Sequence, residues 1–217
     1  MKFDYIIIGA GPAGSIIAWK LAKLKFNVAI IDRSNSKNNK INNFFLPYVN
    51  HSPSYYTPVF SNKLGGNSAL WQNKIYLLSE KEFNLEEWPI SYDELLRDSR
   101  ELSQLLNIED SINLEKIEND KSFKFDYHYA QRCKIGNIFD YLEISKISNI
   151  KVFENSSPVK INYDKDFNAK SVFIKNQKSN DNIELTINKS MIFCAGGIGN
   201  PHLVLNLINN DNKNTGK

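Results

Sequence analysis

Asp4-Tyr5-Ile6-Ile7-Ile8-Gly9-Ala10-Gly11-Pro12-Ala13-Gly14, answered by Val28-Ala29-Ile30-Ile31-Asp32, decides the fold. Residues 5–8 and 28–31 are apolar without alternation, as in strands buried on both faces of a parallel sheet. Residues 15–25 between them read as one helix, which completes a βαβ unit of about thirty residues. The Gly-x-Gly-x-x-Gly turn stands where strand passes into helix, and Asp32 follows near the distance at which a ribose hydroxyl is met. Gly9 allows the tight turn, Gly11 lets backbone approach a pyrophosphate with no Cβ between, and Gly14 lets helix pack on strand. Pro12 and Ala13 belong to the first helical turn, where a missing N–H is harmless and the remaining N–H groups attract an anion. A tight turn that holds no ligand accounts for Gly9 and Gly14 but not for Gly11. Arg33 suits a phosphate or adenine edge and equally a solvated loop.

The composition narrows the function classes. A net charge of +3 and a pI near 8.6 do not imply a nucleic-acid or acidic-membrane partner. No stretch approaches the length of a membrane span, and the chain runs into its first strand without a signal-type leader, so a cytoplasmic protein is expected. Cys133 and Cys194 lie far apart in unlike contexts, as reduced thiols do.

After the βαβ unit, residues 34–43 are a polar loop. Residues 44–60 hold Pro47, Pro53 and Pro58 among aromatics and should be extended. His51 there is an ordinary loop histidine. In Leu64-Gly65-Gly66-Asn67-Ser68-Ala69-Leu70-Trp71 the paired glycines admit two readings. Either backbone comes close to a ligand and Ser68 donates to a phosphate or ring oxygen, or the glycines turn the chain before a buried strand. Ser91 and Glu94 form a capping-box pair that predicts a helix over 92–106. Residues 110–124 are charged and irregular, a surface excursion. His128 and Cys133 lack two further ligands, so no metal site is expected. A helix follows over 137–144.

From residue 149 the pattern turns to β: strands over 149–153, 157–161, 171–175 and 183–187 form a meander that leaves and returns to the main sheet. Residues 190–205 repeat the strand, glycine turn and helix logic, with Asn200 as cap and Pro201 in the first turn. Cys194 reads as a buried small hydrophobe.

The N-terminal Asp-x-Ile-Ile-Ile-Gly-Ala-Gly-Pro-Ala-Gly resembles FAD-binding more than NAD-binding proteins. Gly65-Gly66-x-Ser68-x-x-Trp71, followed by Trp88-Pro89-Ile90-Ser91-Tyr92-Asp93-Glu94-Leu95, resembles the glucose-methanol-choline (GMC) flavoprotein oxidoreductases, particularly those acting on sugars and related polyols. The resemblance implies that Gly9, Gly11 and Gly14 hold the FAD diphosphate and that Gly65, Gly66 and Ser68 run past it towards the flavin. It further implies Trp71 near the ring, Val159 against the adenine, and Ala195 and Gly196 beside the dinucleotide. Asp32 stands where many relatives carry Glu, a change that keeps the acceptor. His202 sits where relatives commonly carry Arg or Gln, and no catalytic role is assigned to it.

These readings predict an α/β, Rossmann-like FAD-binding domain with a parallel central sheet and a β meander. Residues 1–210 form the FAD-binding portion with a 72–148 excursion, and 211–217 form a polar tail. The family's substrate domain and catalytic histidine segment are expected to be absent from this chain. The implied function is the cofactor portion of an oxidoreductase that moves hydride from the CH–OH group of a small-molecule alcohol or sugar to flavin, with a complementing C-terminal chain as a further partner. A non-catalytic dinucleotide-binding module, an inactive truncated remnant and a flavoprotein using NAD(P)H are the alternatives.

Overall fold

The computed structural model describes residues 1–36, 41–43, 59–70, 74–75, 78–85, 87–108, 131–132 and 135–207. In chain order these form β1 (Lys2–Ile8), α1 (Pro12–Lys23), β2 (Val28–Ile31), β3 (Ile41–Asn43), β4 (Val59–Ser61), a 3-10 turn (Gly66–Ala69) and β5 (Lys74–Ile75). There follow α2 (Glu80–Phe83), α3 (Tyr92–Leu105), β6 (Gln131–Arg132), α4 (Ile138–Tyr141), a second 3-10 turn (Ile144–Lys146), β7 (Ile150–Phe153), β8 (Ser156–Tyr163), β9 (Ala169–Asn176), β10 (Asn182–Phe193) and α5 (Gly196–Leu207). They divide into two compact units, one within Met1–Leu70 and Asn137–Lys217, the other within Trp71–Gly136.

The first unit is a six-stranded sheet in the order β7-β2-β1-β10-β9-β8. β7, β2, β1 and β10 run parallel, whereas β9 and β8 are antiparallel additions. This is the α/β, Rossmann-like architecture with a meander that the sequence predicts. Every residue of β2 is buried, as its unbroken apolar run requires. Ile6, Ile8, Ala29 and Ile31 enter one core with Phe153, Ile161, Val172, Ile174, Leu185 and Ile187 from β7 and the meander. Ile7 and Ile30 alternate with them and take the opposite face. Burying each such isoleucine contributes roughly 1.5–3 kcal/mol. α1 buries Gly14, Ser15, Ala18 and Ala22, a stripe of small side chains that lets it lie close to the strands.

β10 is one strand where the sequence suggests two. Its first half pairs antiparallel with β9, and its second half pairs parallel with β1. The exposed Asn188-Lys189-Ser190 interrupts the apolar pattern, and a register shift takes up the extra residue where Phe3 faces Ile187 and Tyr5 faces Ser190. Pro158 lies on β8, an edge strand, where a missing N–H costs no central ladder bond. α1 starts at Pro12, the first-turn place the sequence assigns to that residue, and ends at Lys23, whereas α5 starts at Gly196, so that Pro201 falls inside the helix instead of its first turn. Gly65-Gly66 leads into a 3-10 turn rather than a buried strand. The helix expected over 137–144 is the shorter α4 followed by a 3-10 turn.

In the second unit, α2 and α3 each open with a complete capping box, Ser79 with Glu82 and Ser91 with Glu94. The Phe83 ring stacks on Trp88 at 5.7 Å and meets Tyr92 at 5.5 Å. Phe44, His51, Trp71, residues 110–124, His128, Cys133 and the 211–217 tail lie outside the described residues.

Candidate functional site

Parallel pairing brings the C-terminal ends of β1, β2 and β10 to one edge of the sheet, and each strand there runs into a turn singled out by the sequence. Such an edge is where open α/β sheets bind ligands.

The turn after β1 is held from several sides. Ser15, fully buried, donates its hydroxyl to the Ala10 carbonyl at 2.9 Å. Asp32 accepts the Ala10 N–H on Oδ2 at 2.6 Å and the Ser34 N–H on Oδ1 at 2.7 Å. Each carboxylate oxygen thus keeps a further lone pair for a ribose hydroxyl. Gly9 adopts φ +106°, and a Cβ there would lie 2.5 Å from the Cys194 carbonyl oxygen. A Cβ on Gly14 would run into the Gly9 carbonyl. Both glycines are therefore required by the fold itself.

Gly11 differs. It caps α1 with φ −67°, a value open to any residue, and none of the described residues lies within 4 Å of the place its Cβ would take. No side chain caps the helix start, and its first turn carries no acid. The first N–H groups of such a start have no intrahelical partner, and the helix dipole makes the spot attractive to an anion.

The second glycine turn docks on the first. Gly65 donates its N–H to the Ala10 carbonyl at 3.0 Å, and Gly66 comes so near that its Cβ would lie 3.1 Å from the Gly11 Cα. Gly65 and Gly66 both have positive φ, +96° and +55°. Ser68 is 1% exposed; its hydroxyl donates to the Gly65 carbonyl at 2.6 Å and accepts from the Ile138 N–H at 3.2 Å. Donation from this hydroxyl to a ligand would require breaking the bond to Gly65.

The third turn, after β10, is tied in by the Cys194 N–H donating to the Ile8 carbonyl at 2.7 Å. Ala195 donates its N–H to Asn200 Oδ1 at 2.7 Å, and Gly196 takes φ +79° with open space around its Cβ position. Cys194 is half-buried rather than fully enclosed, and burial raises its thiol pKa above the usual range. Val159 on β8 is 48% exposed, and Ser156 at the start of that strand donates its N–H to the Asp32 carbonyl at 2.9 Å. Arg33 is exposed directly after Asp32. Gly9, Gly11, Pro12, Ala13 and Gly14 follow β1, Asp32 and Arg33 follow β2, Ala195 and Gly196 follow β10, and Gly65, Gly66 and Ser68 belong to the turn that docks on the first of these. His202 is exposed on α5.

Sequence reading missed Ser15 and Asn137. Asn137 donates Nδ2–H to the Leu64 carbonyl at 2.7 Å and accepts the Phe139 and Asp140 N–H groups on Oδ1 at 3.0 and 3.4 Å. Asparagine in the box before a helix signals a cap. Its long-range partner leaves no local trace.

A family model for NAD(P)-binding Rossmann-like domains matches residues 7–64. The chain carries a Rossmann-like dinucleotide-binding fold. It is 36% identical, over 101 aligned positions, to an uncharacterized protein of Methanosarcina barkeri, covering 38% of this chain and 25% of that one. A geranylgeranyl diphosphate reductase of Rhodobacter capsulatus is 47% identical over 34 residues, 16% of this chain and 9% of the relative. Among solved structures, a formate oxidase superposes with TM-score 0.61 at 15% identity, covering 94% of this chain and 47% of that one. A structure concerned with FAD modification in the Aspergillus oryzae formate oxidase gives the same values. A fungal aryl-alcohol oxidase follows at TM-score 0.55 and 10% identity, covering 92% and 46%. At such identities the likeness is one of fold. This chain spans about half the length of these structural neighbours and a quarter or less of the curated relatives.

Among the described residues no helix is long and apolar enough to cross a membrane, and no group of three or more His, Cys, Asp or Glu is placed to hold a metal.

Proposed function

We propose that this chain is the FAD-binding portion of a GMC-type oxidoreductase, acting on the CH–OH group of a small alcohol or sugar by hydride transfer to flavin. The observation that carries the reading is the open space beside Gly11. Nothing among the described residues requires glycine there, and a diphosphate lying against the backbone does. The neighbours' own names, formate oxidase and aryl-alcohol oxidase, support the oxidase class.

FAD, when bound, supplies the hydride acceptor. The chain's residues bind and orient it. The first-turn N–H groups of Ala13 and Gly14, behind Pro12, would hold the diphosphate, and the glycines at 11 and 66 would let it approach the backbone with no Cβ in the way. Asp32 accepts from the ribose, Arg33 serves a phosphate or the adenine edge, and the exposed Val159 offers an apolar face to the adenine. Ala195 and Gly196 line the dinucleotide from the third turn. Gly65 and Ser68 shape the second turn. The cofactor portion runs through residues 1–210, with an inserted excursion, and no described residue is assigned the role of catalytic base. A complementing chain and a cytoplasmic setting belong to the same proposal.

A second reading, a reductase domain that binds NAD(P), draws on the family match over residues 7–64 and on the reductase relative. Equilibrium binding of FAD, NAD and NADP to the purified chain separates the two. FAD is expected to bind at least about tenfold more tightly than either nicotinamide dinucleotide, a difference of about 1.4 kcal/mol. Tighter binding of NADP or NAD would overturn the flavin assignment.

A further inference from the structure

The second glycine turn is held in place by a residue far away in sequence. Asn137 donates to the carbonyl of Leu64, immediately before Gly65, and fills the volume that any side chain on Gly65 would need. The next residue, Ile138, donates its N–H to Ser68, whose hydroxyl in turn holds the Gly65 carbonyl. Gly65 donates onward to Ala10, the carbonyl already held by Ser15 and the residue whose N–H is held by Asp32. These bonds form one continuous path from the start of α4, through the second glycine turn, to the turn after β1. A glycine pair at φ +96° and +55° has no intrinsic preference for this conformation, so its rigidity must come from such outside contacts.

We infer that Asn137 is a positioning residue for the cofactor cleft: it fixes the Gly65-Gly66 turn against Gly11 before the ligand arrives, and so sets affinity for the whole dinucleotide. The inference rests on the FAD reading above only for the identity of the ligand. If the turn is released, the competent conformation becomes a fraction of the ensemble, and apparent affinity falls by that fraction. ADP fills the part of the site built by Gly11 and Asp32, whereas FAD also needs the second turn. Loss of the clamp therefore weakens FAD more than ADP.

Two variants separate the clamp from helix capping. Asn137→Asp keeps the oxygen that accepts Phe139 and Asp140 N–H and loses the donor to Leu64; Asn137→Ala loses both. Amide hydrogen exchange of Gly65 and FAD and ADP titrations would be run on the full chain, with thermal melting as the control for folding. In Asn137→Asp, Gly65 exchange is expected to rise about tenfold or more and FAD affinity to fall about tenfold, as follows from an unpaired buried carbonyl, with ADP affinity within about threefold and Tm lower by only a few degrees. Unchanged Gly65 exchange would overturn the clamp whether or not FAD binds. An equal loss of FAD and ADP affinity would also overturn it, since that is the mark of general destabilisation. Wild-type chain that binds no FAD yet shows the exchange change would retain the clamp and remove the flavin assignment alone.

Discussion

The backbones of Gly66 and Gly11 approach so closely that a Cβ on Gly66 would lie 3.1 Å from the Gly11 Cα. Two glycine turns separated by more than fifty positions in the chain thereby pack directly on each other. Gly66→Ala must force these backbones apart while also occupying φ +55°, which costs a non-glycine residue about 1–2 kcal/mol. Cofactor affinity is expected to fall about tenfold in a titration followed by flavin fluorescence. Undiminished affinity would show that the second turn does not bound the cofactor.

Gly14 has a different task, because its Cβ would meet the Gly9 carbonyl, a backbone atom that cannot swing aside. Gly14→Ala is expected to cost about 3 kcal/mol or more and to lower Tm by roughly 6–12 °C. Calorimetry giving a wild-type Tm would contradict the tight packing of α1 on β1.

Asp32 serves the protein before it serves a ligand. Asp32→Ala leaves the Ala10 and Ser34 N–H groups without their acceptor, at a cost of about 1–3 kcal/mol, whereas Asp32→Asn keeps one acceptor oxygen and costs less. Urea unfolding should rank wild type above Asn above Ala. Equal stability of all three would leave the carboxylate with a ligand role only.

Asp164, in the turn between β8 and β9, accepts from Lys170 Nζ and from the Asn168 and Asp166 N–H groups, which hold its carboxyl at about 2. The folded value is depressed, so this contribution to stability is full above the usual 3.8 and is lost as pH falls from there towards 2. A carboxyl titration by NMR should find Asp164 still ionised at pH 3, and Asp164→Asn should flatten stability across that window. A midpoint near 3.8 would show that the turn does not favour the ionised form.

His202 is exposed on α5, and His202→Ala is expected to leave FAD affinity within about twofold of wild type, the range of an ordinary surface substitution. A larger loss would bring this helix into the site.

The parts of the fold legible in the sequence are those whose cause is local. The apolar runs of β1 and β2, the glycine spacing between them and the Ser91–Glu94 box each carry their own signal, and each forms as read. Boundaries moved where two local signals compete. Pro201 suggests a helix start, yet α5 already begins at Gly196, which enters it at φ +79°, and Asn200 accepts backward from the Ala195 N–H. The continuity of β10 was hidden because the polar Asn188-Lys189-Ser190 step is exposed on a strand that must change partners. Asn137 and Ser15 were illegible for a plainer reason. Their partners, the Leu64 and Ala10 carbonyls, are backbone atoms brought near by tertiary packing, and no spacing rule encodes them.

The open side of Gly11 is the proposed seat of a flavin dinucleotide's diphosphate. The most direct measurement is the visible absorption spectrum of wild-type chain and of Gly11→Val, each incubated with FAD and desalted, with melting curves for both. The open space around the Gly11 Cβ position predicts that both fold, that the wild type retains oxidised-flavin bands and that Gly11→Val loses them. Equal retention of FAD by a folded Gly11→Val chain, or a colourless folded wild type, would contradict it.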